Sequence, residues 1–125
     1  TLNLFGKKCI NHRDGLSKLV KNLKGNLYGY GASARSSTLL NFANIDYRDI
    51  KFIMDKNKLK SGFFTPGTKI KIIKFIKNKL PKNSNIIILA WNFKKEIISQ
   101  FSKKLNYKFI IPLPNKAKIY ENSKN

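Results

Sequence analysis

Tyr28-Gly29-Tyr30-Gly31-Ala32-Ser33-Ala34-Arg35-Ser36-Ser37-Thr38-Leu39-Leu40-Asn41 reads as the end of a β-strand, a sharp glycine bend and the start of a helix. Gly29, Gly31 and Ala34 fit the G-x-G-x-x-G/A spacing of a nucleotide-binding loop. Asp55 follows roughly 20 residues later, where the second strand of such a unit ends. Glycine has no Cβ, so a phosphate can approach the backbone closely and the bend can adopt unusual dihedrals. A helix starting at Ser36 or Ser37 would aim free N–H groups at that phosphate. Ser33, Ser36, Ser37 and Thr38 add hydroxyls, and Arg35 adds a charged fork. The same residues also suit a tight strand-to-helix turn that holds nothing.

Outward from this stretch, strands and helices alternate. Before it, Phe5, Cys9, Leu16, Leu19, Val20 and Leu23 recur at helical steps, interrupted at Asn11 to Gly15 and stopped at Gly25. Leu27 to Tyr30 is the first strand, the helix past Ser36 runs to Asn44, and Ile50 to Asp55 is the second strand. Lys56 to Thr68 carries turn chemistry in Ser61-Gly62 and Thr65-Pro66-Gly67-Thr68. Ile70 to Phe75 predicts a short strand running into a helical turn, closed by Leu80-Pro81. Ile86 to Ala90 is a continuous apolar run, the mark of a strand buried on both faces. Lys94 to Leu105 predicts a helix with Ile97, Ile98, Phe101 and Leu105 on one face. Phe109 to Ile111 is the last clear strand, stopped by Pro112-Leu113-Pro114, and the polar residues past Asn115 are expected to fray. The expected fold is α/β: a Rossmann-like three-layer domain with a short, mostly parallel sheet flanked by helices. Its boundaries are residues 1–119, with 120–125 a flexible tail. Right-handed crossovers put the glycine bend at the carboxyl edge of the sheet, where such folds bind ligands.

Two further groups reach that edge. Asp55 can accept hydrogen bonds from a ribose or sugar hydroxyl, with Asn57 beside it, or it can simply cap the Lys56-Asn57 bend. Trp91, Asn92 and Phe93 follow the third long strand directly. An aromatic there can stack on a base and Asn92 can read an edge, or the rings can pack at the sheet margin. Cys9 and His12 have a C-x-x-H spacing, but the chain has no other Cys or His to complete a zinc site. The carboxylates, such as Asp46, Asp49 and Glu96, form no pair suited to acid–base work. These residues are equipped to hold a ligand and not to transform it.

The chain has 125 residues, enough for one domain with one core. Its net charge of +20 favours an anionic ligand. The lysines are spread along the whole length, in the company of many Asn and Ile, so a solvated basic surface explains the charge better than a dedicated nucleic-acid face. No apolar run approaches the roughly 20 residues that span a bilayer. With no secretory signal evident and a single Cys, a cytoplasmic setting without membrane attachment is expected.

Several segments, read together, resemble the C-terminal domain of the S-adenosylmethionine-dependent nucleotide-sugar C-methyltransferase family. They are Tyr28 to Arg35, Thr38-Leu39-Leu40-Asn41, Ile53 to Gly62, Thr65-Pro66-Gly67-Thr68, Leu89-Ala90-Trp91-Asn92-Phe93 and Phe109 to Pro114. The chain departs from the family pattern after Arg35, where Ser36 stands in place of a common glycine. The resemblance implies a three-part protein with a zinc domain, a central methyltransferase domain and this last domain, which binds the nucleotide-sugar and closes on the centre. It therefore implies a fragment of a longer chain, as a first residue other than Met also suggests. The fragment alone would be inactive, with no cofactor of its own; S-adenosylmethionine and zinc belong to the other parts. It further implies that Gly29, Tyr30, Gly31, Ala32, Ser33, Ala34, Arg35, Ser36 and Ser37 surround the pyrophosphate, with Asp55, Asn57, Trp91, Asn92 and Phe93 on sugar and base. The rival readings are a small NAD-type dinucleotide module, a basic nucleic-acid-binding domain, and a purely structural domain packed on the central one.

Overall fold

The computed structural model describes residues 3–77, 79–112 and 118–121. Leu113 and Pro114 of the expected stop, and 122–125 of the expected tail, lie outside them. The described elements are α1 (Leu4–Lys21), β1 (Leu27–Tyr30), α2 (Ala34–Phe42), β2 (Ile50–Asp55), β3 (Ile72–Lys74), β4 (Asn85–Ile88), α3 (Lys94–Ser99), β5 (Lys108–Ile111) and β6 (Lys118–Glu121), with short 3-10 turns at Lys58–Lys60, Trp91–Phe93 and Lys103–Leu105. They build an α/β fold around one six-stranded sheet of order β3-β2-β1-β4-β5-β6. Every neighbouring pair is parallel except β5–β6.

Alternation along the strands separates two cores. Leu27, Ile53, Ile87 and Leu89 face one side, where Leu16 and Val20 of α1 and Leu40 of α2 cover them. Tyr28, Tyr30, Met54, Ile86 and Ile88 face the other, beneath Ile97 of α3 and the ring of Phe101. β1 and β4 are buried at every position, as strands in the middle of a covered parallel sheet must be. The second core is largely aromatic: Phe101 meets Tyr30, Phe75, Tyr107 and Phe109 at centroid separations of 5.4 to 6.2 Å, mostly edge to face. The buried hydroxyl of Tyr107 donates to the Leu80 carbonyl at 2.6 Å.

Three expectations change. The interruption at Asn11 to Gly15 does not divide the first helix: Asn3 caps it by accepting from the Gly6 amide at 2.7 Å, and Gly15 sits inside the helix. The helix expected over Lys94 to Leu105 stops at Ser99. There the Ser99 hydroxyl and the Gln100 amide group both bond the Glu96 carbonyl, and the next amides reach back only three residues. That tightening turns Phe101 into the aromatic core. Finally, residues 118–121 form a strand, paired antiparallel with β5 from Lys108↔Glu121 to Ile111↔Lys118.

Candidate functional site at the carboxyl edge of the sheet

The strand order reverses between β1 and β4: β2 and β3 lie to one side of β1, β4 and β5 to the other. In open parallel sheets a crevice opens at that reversal, beyond the carboxyl ends of the strands. The glycine bend leaves β1 there, and the Trp91–Phe93 turn follows the end of β4 nearby.

The bend is held from within. The Gly31 amide donates to the Met54 carbonyl at 2.9 Å, and Gly31 takes a φ of +102°, where a side chain would be strained. A Cβ at Gly31 would also stand 3.1 Å from Ala90, and one at Gly29 would stand 2.9 Å from Ile53 Cγ1. In this fold Gly29 is thus needed by strand β2 and Gly31 by the turn after β4, whatever else approaches them. Ser33 and Ser36 form a reciprocal cap: the Ser33 amide donates to Ser36 Oγ at 2.7 Å, and the Ser36 amide to Ser33 Oγ at 3.1 Å. Helix α2 consequently starts at Ala34, ahead of the expected Ser36 or Ser37. Ser36 is buried, its hydroxyl engaged with the Gly31 and Ser33 carbonyls. The Ser37 amide bonds the Ser33 carbonyl at 3.0 Å. The first-turn donors outside this arrangement are the amides of Ala34 and Arg35.

Asp55 works on the same bend. One carboxylate oxygen accepts from the Ala32 amide at 2.8 Å and the other from the Asn57 amide at 2.8 Å. Lys60 stands 3.8 Å from that carboxylate and donates to the Ala32 carbonyl. Asn57 in turn caps the 3-10 turn through the Leu59 amide at 3.0 Å. Asp55 therefore ties the end of β2 to the bend after β1.

Arg35 and Trp91 meet across the reversal point. The guanidinium carbon lies 4.9 Å from the indole centroid, a cation–π contact between exposed Arg35 and half-buried Trp91. Asn92 and Phe93 are exposed beside them. Tyr30 is not at this surface. Its ring is packed against Phe75 and Phe101, and burial raises its phenol above the ordinary range, helped by the Asp55 charge and opposed by a hydrogen bond with Gln100.

A cleft of about 290 Å³ adjoins the bend on the β2 side, with Ala32, Ser33, Ala34 and Ser37 on one wall and Lys60, Thr65, Pro66 and Ile72 on the other. Its second wall is fixed by α2: Asn41 Nδ2 donates to the Pro66 carbonyl at 3.2 Å, and Gly67, at a φ of +76°, leaves no room beside Asn41 for a Cβ. Thr65 and Thr68 are buried and hydrogen-bonded to each other, and Thr65 Oγ accepts from the Ile70 amide at 2.9 Å. Sequence reading took Thr65 to Thr68 as a turn and overlooked Lys60, one lysine among many. The signal was its place five residues after Asp55, on a turn that folds back to the bend.

Residues 1–114 match the C-methyltransferase C-terminal domain, and the chain belongs to that family. It is also similar to the C-methyltransferase NovU of Streptomyces niveus, with 33% identity over 88 residues, 69% of this chain and 21% of NovU. The aligned part thus spans about a fifth of that relative's length. Among the described residues, no helix is long and apolar enough to cross a membrane.

Proposed function

We propose that this domain binds the nucleotide-sugar substrate of an S-adenosylmethionine-dependent C-methyltransferase and presents it to a catalytic domain elsewhere in a longer cytoplasmic protein. The observation that carries the reading is the Arg35–Trp91 contact, which sets a cation and an aromatic ring together at the point where the strand order reverses. That order, 3-2-1-4-5-6, supports a Rossmann-like description of the sheet.

In this reading the diphosphate lies against the amides of Ala34 and Arg35, with the Arg35 guanidinium offsetting its charge. Trp91 or Phe93 stacks on the base, Asn92 meets a base or sugar edge, and Asp55 faces sugar hydroxyls, with Asn57 beside it. The engaged amides of Ala32, Ser33, Ser36 and Ser37 hold the bend in shape and are not themselves the anion's donors. Zinc finds no fit here: among the described residues no three His, Cys, Asp or Glu side chains gather. Zinc and S-adenosylmethionine are assigned to the other parts of the protein, so the isolated chain is expected to transfer no methyl group.

The test is a parallel titration of the 125-residue chain with a thymidine diphosphate sugar and with NADH, followed by the fluorescence of its single tryptophan, Trp91. A saturable change with the nucleotide-sugar, at least tenfold weaker in Arg35→Ala, is the expected result. Equal or tighter binding of NADH would favour the dinucleotide module. Binding that ignores Arg35→Ala and falls steeply with salt would favour nucleic acid, whose contacts are spread over many lysines.

A further inference from the structure

A second concavity lies away from the bend, between α3 and the outer strands β5 and β6. It encloses about 600 Å³, within the range of sites that hold small molecules. Ile98, Phe101, Ile111 and Tyr120 supply its apolar surface. Tyr120 remains 54% exposed although its strand is paired. Among the described residues the charged lining is all of one sign: Lys94, Lys95, Lys103 and Lys118 contribute, and no carboxylate does. Basic residues are common here, 26 in 125, but lysine makes up four of the ten described residues around this groove, about twice that share.

The lysines are also unevenly placed. Lys94 and Lys95 open α3, just past the carboxyl end of β4, and Lys118 pairs with Ile111 at the carboxyl end of β5. Three of the four lysines therefore belong to one end of the groove, while Lys103, on the turn before β5, stands at the other. From there the apolar lining continues towards Phe101 and Tyr120, the latter paired with Phe109 farther back along the sheet. A polar head at one end and an apolar body along the floor match this distribution. A neutral apolar ligand would leave the lysines unmatched, and a second copy of this chain would bring like charge to like.

We propose that the groove between α3 and β6 binds a small amphiphilic anion, a phosphate or carboxylate carrying an extended apolar body. The anion sits among Lys94, Lys95 and Lys118, and the body lies on Ile98, Phe101, Ile111 and Tyr120. The site shares none of its lining with the Arg35–Trp91 crevice, so the two are tested separately.

The experiment uses the 125-residue chain with isoleucine methyl groups labelled for NMR. Dodecyl phosphate, dodecyl maltoside and inorganic phosphate are titrated below the concentrations at which the detergents form micelles. Saturable shifts of the Ile98 and Ile111 methyls with dodecyl phosphate are expected, with Ile45 and Ile53 unmoved. Inorganic phosphate should produce no such shifts, and dodecyl maltoside should bind at least tenfold more weakly. The double variant Lys94→Glu/Lys118→Glu should weaken dodecyl phosphate at least tenfold while keeping the methyl spectrum of the folded chain. Lys118 is exposed and Lys94 half-buried, and Lys95→Glu/Lys118→Glu, at two exposed positions, serves if the first pair disturbs folding. Equal binding of the neutral detergent, shifts centred elsewhere, indifference to charge reversal, or binding only to micelles or anionic vesicles would overturn the proposal.

Discussion

Gly29 shows how one residue can satisfy two readings and belong to only one of them in this structure. The spacing of Gly29 and Gly31 suggested room for a phosphate, yet the space beside Gly29 is filled by Ile53 and Leu89, 2.9 and 3.3 Å from where a Cβ would stand. Both neighbours are buried in the first core and cannot move freely. Gly29→Ala should therefore lower stability by about 1–3 kcal/mol, as overpacking does. A fall in the urea unfolding midpoint would check it. An unchanged midpoint with lost nucleotide-sugar binding would return the glycine to the ligand. Arg35 was legible as a charged fork beside the bend, and the structure places it over the Trp91 ring. Its partner Trp91 was legible only as a neighbour of the same edge, since a cation–π contact between loops 56 positions apart leaves no local pattern.

At the scale of elements, the connection between α2 and β2 is held by charge. Arg48 grips the Asp46 carboxylate at 2.7 to 3.2 Å, and Lys21 of α1 reaches Asp49 at 2.7 Å. The side-chain hydrogen bond from Arg48, supported by its backbone amide, lowers the Asp46 carboxyl from an ordinary 3.8 to about 2. A folded-state value below the unfolded one stabilises the fold above about pH 4, and that contribution is lost as the pH falls towards about 2. Both side chains are near the surface, so the effect is modest and screened by salt. Unfolding midpoints measured from pH 5 to pH 2 should fall less steeply for Arg48→Gln than for the unaltered chain. The first five strands and the first two helices were readable because apolar period and turn residues agreed. The end of α3 was not, because Ile97, Ile98, Phe101 and Leu105 keep helical spacing across a break made by Ser99 and Gln100 side chains. β6 was missed because none of its four residues is buried, so its sequence carries no signature of an inner face.

For the molecule as a whole, +20 of charge on 125 residues is a standing self-repulsion. Raising sodium chloride from about 0.05 to 0.5 M shortens the screening length several-fold and should raise the thermal midpoint. A falling midpoint would mean that the few ion pairs outweigh the repulsion. Asp55 has a wider consequence. Because one carboxylate grips both the bend after β1 and the turn after β2, those two loops are pinned as a single latch. A guest that draws Lys60 or Asn57 towards itself must also tug on the threshold of α2, so recognition on one flank of the crevice is felt on the other without any strand having to shift.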